Sequence, residues 1–276
     1  MTLEKYVYPG RVINGFKVTS LCESTQNSST FFGYNTSDEQ QVVLKVYKNN
    51  PRKYLREIAY LEKFNSNFIL KPIQTFDIVN NLKCSVFPRA QEKDLLDFLD
   101  KTPEFPIPEK KVRNIAYVLF KSVEYLNQNG VMHRDYKPEN VVIMNSNLNV
   151  DDIKVIDLGM ACEINDRLHQ ERVGSCYYAA PEVYDGAYSK ECDIFSIGVT
   201  LCVACGGTVP FDCDSNKAMQ ASKKKRDYKL EGKIWNHFSN ELKELIYKCL
   251  EPDPKKRITI DQIFSEYSSL WSLISN

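Results

Sequence analysis

The spacing of apolar residues shifts near Pro88 from mostly strand-like to mostly helical, and that shift limits the folds open to the chain. Ahead of it, the short runs FKVTSL, STFFGY and VVLKVY alternate as strands of an antiparallel sheet do, and two further strands are expected near Ile73 to Ile78 and Lys83 to Phe87. One helix interrupts them. It opens at Asn50 and Pro51, with Asn as N-cap and Pro at the first helical position, and its buried face is expected at Leu55, Ile58 and Leu61. Beyond Pro88 to Gln91 the pattern turns helical. From Pro108 to Asn129, Val112, Ile115, Ala116, Leu119, Val123 and Leu126 follow the 3.6-residue period, and Gly130 supplies a left-handed stop. Asp193 to Cys205 reads as a wholly buried helix, and Leu242, Leu245, Ile246 and Cys249 as the inner face of an amphipathic one. The fold class is α+β.

A length of 276 residues with 43% hydrophobic content can bury a substantial core. Lys+Arg 36 balances Asp+Glu 36, so no global field draws nucleic acid or an anionic membrane. MTLEKYVYPG has no apolar signal core, Thr2 stands where myristoylation requires glycine, and no apolar run reaches transmembrane length. The expectation is a soluble cytoplasmic protein, with the nucleus as a second compartment, and neither nucleic acid nor membrane as partner. Nine scattered cysteines fit reduced thiols, and the Cys202/Cys205 pair lies in a run apolar all round a helix, so packing is expected of it. His133, His169 and His237 do not fall at zinc spacing. The basic run Lys223 to Arg226 reads as a solvated helix face.

Chemistry concentrates after the long helix. VMHRDYKPENVVI brings Asp135, Lys137 and Asn140 onto one short loop, and KVIDLGMA presents Asp157 after another apolar strand. Phosphoryl transfer from a nucleotide needs a carboxylate to orient the attacking hydroxyl, a cation near the moving phosphate, and oxygen ligands for Mg²⁺. These four residues are such groups. Upstream, Lys45 suits the α- and β-phosphates, with Glu57 as the carboxylate that keeps its ammonium in place.

With REIAYL, YYAAPEV, CDIFSIGV and PDPKKRI, these segments stand in the order found in eukaryotic protein kinases, which the chain resembles over essentially its whole length. The resemblance implies one bilobal protein kinase domain: a small antiparallel β-sheet N-lobe with one helix over 1–87, a hinge over 88–92 and a mainly helical C-lobe over 93–276. It implies ATP and Mg²⁺, with Mn²⁺ as substitute, the metal held by Asn140 and Asp157. Asp135 and Lys137 become the catalytic pair, and Lys137 in that place marks the Ser/Thr type. Lys45, Glu57, Val43 and Val142 become ATP-binding positions, Phe87 the back of the adenine pocket, and Asp94 a neighbour of the ribose. Pro88 and Ala90 supply the hinge carbonyl and N–H; proline keeps the carbonyl that is needed there.

By the same resemblance, Ser175 is the docking-loop residue that bonds Asp135 and Lys137, while Asp193 and the Glu182 and Arg257 pair are structural. Arg134 is the partner of an activation-loop phosphate, and Glu171, three residues before Gly174, stands where related kinases carry the phosphorylated threonine. Cys162 replaces the usual second basic partner, a role Lys53 could take. Glu139 and Asp94 match acidic contacts for an arginine ahead of the target hydroxyl, a preference moderated by Val203 at a further acidic position.

The departures fall mostly in the lid. Against the pattern GxGxxGxV, the glycines are replaced by Cys22, Ser24 and Asn27 and the valine by Ser29, so a phosphate lid is expected to close less tightly over an intact site. Asn27 is expected to tolerate left-handed geometry. Leu158 for the usual Phe and Phe195 for the usual Trp remove no chemical group. VGSCYYAAPEV and CGGTVPF most resemble the calcium- and calmodulin-dependent group, calcium-dependent protein kinases in particular. No DxDxDG calcium loop occurs, so calcium sensing is expected of a separate regulatory protein. Three functions stay open: an active Ser/Thr protein kinase with protein substrates, a pseudokinase scaffold with a weakened ATP lid, and a small-molecule kinase. The last is disfavoured by the APE segment and the Glu182 and Arg257 pair.

Overall fold

The computed structural model describes residues 5–48, 51–79, 82–103, 105–272 and 274, without the side chains of 51–53. Asn50, expected as a helix cap, and the side chain of Lys53 lie outside the described residues. The chain forms two compact units, Met1–Asn65 with Leu70–Gln91, and Ser66–Ile69 with Glu92–Asn276.

The first unit is an antiparallel sheet in the order β1-β2-β3-β4-β6-β5 with one helix, α1 (Pro51–Lys63). Its strands are β1 (Val12–Ile13), β2 (Phe16–Ser24), β3 (Ser28–Asn35), β4 (Gln41–Tyr47), β5 (Gln74–Val79) and β6 (Leu82–Pro88). Alternation sorts the two faces of β4. Val42, Leu44 and Val46 are fully buried among Phe16, Val18, Phe31, Cys84 and Val86, which leaves Val43 and Lys45 on the opposite face. Gly33 is fixed by close approach: a Cβ there would lie 2.5 Å from the Lys17 carbonyl oxygen and 2.8 Å from Leu44 Cδ1. On α1 the expected buried face needs one correction. Leu55 is 55% exposed, and the inward stripe is Tyr54, Glu57, Ile58 and Leu61. The reason is a ring contact with β4, because Tyr54 packs its ring 4.4 Å from that of Tyr47.

In the second unit, α3 (Glu109–Gln128) and α5 (Glu191–Gly206) form the centre, and every residue of α5 from Cys192 to Cys205 is buried. The thiols of Cys202 and Cys205 are among them, and burial pushes both above the usual thiol range. Helix α7 (Asn240–Cys249) turns Leu242, Leu245, Ile246 and Cys249 inward, as its period predicts. Ser66–Ile69 corrects the boundary at 1–87. Ile69 bridges Val155, the Val155 N–H donates to the Phe68 carbonyl at 2.8 Å, and Lys154 Nζ donates to the Asn67 carbonyl at 2.6 Å. These bonds assign the segment to the second unit. Among the described residues, no helix is long and apolar enough to cross a membrane.

The basic run is also corrected. Lys223, on α6 (Asn216–Lys225), is fully buried, whereas Lys224 to Arg226 are exposed. Near it, α4 (Pro181–Asp185) starts with proline in the first turn and ends on Gly186 in the left-handed conformation. Glu182 on α4 meets Arg257 bidentately, at 2.5 and 3.0 Å, and the guanidinium lies 5.1 Å from the Phe195 ring. Arg257 also donates to the carbonyls of Glu191, Glu251 and Pro252, so its buried charge is well partnered. Removing one partner strands the other. Glu182→Ala is expected to cost about 3–5 kcal/mol in urea unfolding, and a double variant that also replaces Arg257 by Met should recover part of it.

Candidate active site

In the first unit, Lys45 and Glu57 form an ion pair. Lys45 Nζ lies 2.8 and 3.1 Å from the two carboxylate oxygens, and the Glu57 side chain is only 3% exposed. Position on the β4 face opposite the core directs the lysine, and α1 brings the carboxylate to it. A fixed ammonium of this kind suits phosphate oxygens. On β6, buried Phe87 pairs with Val43 and Pro88 with Val42. Ala90 follows the strand, half-buried, after Arg89, whose guanidinium lies 4.1 Å from the Phe32 ring centre.

The glycine-free stretch is a continuous hairpin. Ser24 and Ser29 face each other across β2 and β3 with their hydroxyls 2.9 Å apart, and Thr25 and Ser28 close the turn. Among the described residues, none from Leu21 to Ser29 takes a left-handed φ, so the left-handed geometry that Asn27 tolerates is not used. Ser24 and Asn27 are exposed at the tip, whereas Ser29 is buried. Lys48, which sequence alone did not single out, clasps this tip: its Nζ donates to Ser24 Oγ at 2.7 Å and to the Thr25 carbonyl at 3.0 Å, and its N–H donates to the Asn27 carbonyl at 2.8 Å. The only sequence signal was a cation directly after β4.

The second unit builds its loop between β7 (Val131–Met132) and β8 (Val141–Ile143). The Asp193 carboxylate accepts the N–H groups of His133 and Arg134, both at 2.7 Å. Burial pushes that carboxyl up, and the two N–H bonds oppose the shift. His133 Nδ1 accepts the Asp135 N–H at 3.2 Å, which leaves the ring proton on Nε2, facing the Ile156 carbonyl. Lys137 Nζ lies 3.2 Å from Asp135 Oδ2, and Asn140 Nδ2 donates to both the carbonyl and Oδ2 of Asp135, at 2.8 and 2.9 Å. The donating NH₂ of Asn140 is thereby engaged, and its carbonyl oxygen is the end suited to a cation. Beyond β9 (Ile153–Val155), Asp157 sits at φ 65 with its carboxylate accepting from the Gly159 N–H. An amide oxygen and a carboxylate are hard donors of the kind that bind Mg²⁺ together with phosphate oxygens. Val142, on β8, is buried.

Arg134 and Glu171 are brought together, Nη1 to Oε2, at 3.1 Å. Arg134 also donates to the Tyr188 hydroxyl at 2.9 Å and the Met160 carbonyl at 2.7 Å. Burial opposes its charge, but Cys162, Tyr188 and Glu171 outweigh that, and its pKa is raised. Cys162, in the place expected for a second cation, lies 3.8 Å from His169 Nδ1. Tyr188 is a partner that sequence did not reveal, because the contact depends on the fold of the intervening segment. Ser175 departs from expectation. Lys137 pairs directly with Asp135, and Ser175 uses its carbonyl to accept from the Tyr178 and Ala179 N–H groups, with no hydroxyl bond to Asp135 or Lys137 among the described residues. Glu139 keeps Oε2 buried without a partner among the described residues, and its charge, after burial, helps push the Tyr178 hydroxyl up. Asp94 caps α2 (Leu95–Lys101), accepting the Asp97 N–H at 2.8 Å, and burial pushes its carboxyl up.

A family model described as "Protein kinase domain" matches residues 25–267, so the match starts past Cys22 and Ser24. The chain is 31% identical over 220 residues to calcium-dependent protein kinase 3 of Plasmodium yoelii yoelii, covering 79% of this chain and 40% of that protein. It is 29% identical over 229 residues to calcium-dependent protein kinase 5 of Plasmodium falciparum, with 81% and 40% covered. With calcium-dependent protein kinase 29 of Arabidopsis thaliana, the identity is 38% over 152 residues, with 55% and 28% covered. The chain thus spans at most 40% of the length of these relatives.

The Lys48 clasp can be tested without any activity. Lys48→Ala removes two of the three bonds that hold the hairpin tip, so amide hydrogen exchange across 25–28 should accelerate, about tenfold or more, while exchange in β4 and β6 is unchanged.

Proposed function

The chain belongs to the protein kinase family, and on that premise we propose that it is an active Ser/Thr protein kinase that uses Mg²⁺, or Mn²⁺ as substitute, with ATP. The carrying observation is the network at Asp135, where Lys137 and Asn140 converge on one carboxylate oxygen at 3.2 and 2.9 Å. In this reading Asp135 orients the acceptor hydroxyl of serine or threonine and takes its proton as the oxygen attacks. Lys137 offsets negative charge on the transferring group, Lys45 holds the α- and β-phosphates, and Asn140 and Asp157 hold the metal. When bound, the metal nucleotide supplies the phosphoryl group. Phe87, Pro88, Ala90, Val43 and Val142 are assigned to the adenine end.

Glu171 supports activity without activation-loop phosphorylation, since it already gives Arg134 a negative partner, with one charge where a phosphate carries nearly two. Glu139 supports a moderate preference for arginine ahead of the target, because its buried Oε2 lacks a partner of its own. The relatives' names carry the word calcium, but no DxDxDG loop occurs in these 276 residues, so we assign no calcium-sensing role to them. A pseudokinase is the second reading, favoured by one observation: the closed, clasped hairpin tip. A thermal shift with Mg²⁺ and ATP that is absent in wild type, together with no peptide phosphorylation, would establish it.

Protein expressed in bacteria and shown by intact mass to be unphosphorylated should phosphorylate peptides. Asp135→Asn and Lys45→Met should each lower turnover by roughly 100-fold or more while melting within a few degrees of wild type. Glu171→Ala should lower it only about two- to fivefold, because that carboxylate is 70% exposed and well screened. In a positional peptide library, arginine ahead of the target should be enriched. Glu139→Ala should erase the enrichment, and its persistence would remove Glu139 from this role.

A further inference from the structure

A fully buried lysine needs a reason, since an apolar residue of like volume fills the same slot without desolvating a charge. Lys223 is such a residue. Its stem and ammonium run between the rings of Tyr184, Phe195 and Phe211, with Nζ about 6 Å from each ring centre (5.9, 5.8 and 6.0 Å). Burial pulls its pKa down to about 8, with Cys176, Glu182 and Cys213 opposing the shift.

The ammonium has two acceptors. Nζ donates to the Cys176 carbonyl at 2.7 Å and to the Ala179 carbonyl at 2.8 Å. Among the described residues, no backbone N–H and no other side chain reaches either oxygen. The loop between Ser175 and Pro181 is thus tied at one end by the Tyr178 and Ala179 N–H groups on the Ser175 carbonyl, and beneath by Lys223. Just before it, Gly174 sits at φ +83 where a Cβ would stand 2.9 Å from the Arg134 carbonyl oxygen and 3.8 Å from Asp135 Oδ1. The tied loop therefore begins against the catalytic loop, and it displays Tyr177, 39% exposed, between the two anchored carbonyls.

We propose that Lys223 is a positioning residue for peptide docking: by fixing the carbonyls of Cys176 and Ala179 it sets the loop that receives the peptide beside Asp135. The ring-lined slot explains how the lysine is tolerated; the two otherwise unpaired carbonyls explain why an ammonium occupies it. Serving the loop's shape and no reacting atom, Lys223 should govern KM for peptide far more than kcat. This inference rests on the proposed kinase function.

The test compares Lys223→Met, which keeps the length and suits the aromatic slot, and Lys223→Gln, which retains a donor that can reach one carbonyl, with wild type in steady-state peptide phosphorylation. Peptide KM should rise about tenfold or more in Lys223→Met, with kcat within about threefold, and Lys223→Gln should fall between it and wild type. If wild type phosphorylates peptide and a folded Lys223→Met keeps the same peptide KM, this inference alone is overturned. If both variants fail to fold, Lys223 serves the fold only and the inference is overturned as well. If wild type phosphorylates no peptide, the kinase reading fails first and this one falls with it.

Discussion

One carboxylate on a buried helix orders the chemistry of the second unit. Asp193 accepts consecutive N–H groups from His133 and Arg134, residues on a loop about sixty positions earlier in the chain. Arg134 stands at φ 70, which an arginine adopts at a cost, and the bonds to Asp193 hold it there. From that bend, Asp135 points to Lys137 and Asn140 while Arg134 points to Glu171 and Tyr188. The complete burial of α5 follows from a sequence apolar all round the helix, and it keeps that carboxylate in place. A carboxylate that is to act as a fixed acceptor has to sit on an element that cannot move, away from competing water.

Much of this was legible in sequence because periodic burial and chemical need leave periodic or closely spaced residues. Lys45 reads out because alternation puts it across β4 from Val42, Leu44 and Val46, and Asp135, Lys137 and Asn140 because they are polar groups closely spaced on one short loop. Leu55 was misread because YLREIAYLEK supports two adjacent stripes, and the choice between them rests on a ring contact with Tyr47 that no local pattern encodes. Ser66–Ile69 was misplaced for a like reason, as its partners lie on β9, far along the chain. Lys223 was read as solvated because basic neighbours on both α6 and its cap suggest a wet face. Its burial is decided by carbonyls 44 and 47 residues away.

The glycine-free hairpin shows what glycine is for. With glycine, backbone N–H groups can adopt strained conformations around an anion. Here β2 and β3 simply continue to a short turn with ordinary φ values, and the hydroxyl of Ser24, at a glycine position, pairs with that of Ser29, at the valine position. Lys48 adds a cation at the tip. The result exchanges conformational freedom for order: a hairpin with more internal bonds and fewer ways to rearrange its amides.

The charged groups of the second unit then divide by how firmly they are held, and the division predicts which of them shape function. Glu171 is mostly in water, so its pairing with Arg134 is screened, and Arg134 would keep its bonds to Met160 and Tyr188 without it. Lys223 is the reverse case: fully enclosed, joined to two carbonyls that lack other donors, and shielded from salt by rings. A screened pair can be lost at little cost to the residues around it. A buried cation that alone satisfies two backbone groups cannot, because its removal leaves both carbonyls in a site where water does not replace it. Order in the segment from Glu171 to Pro181 is therefore fixed more by the lysine beneath its end than by the carboxylate at its start.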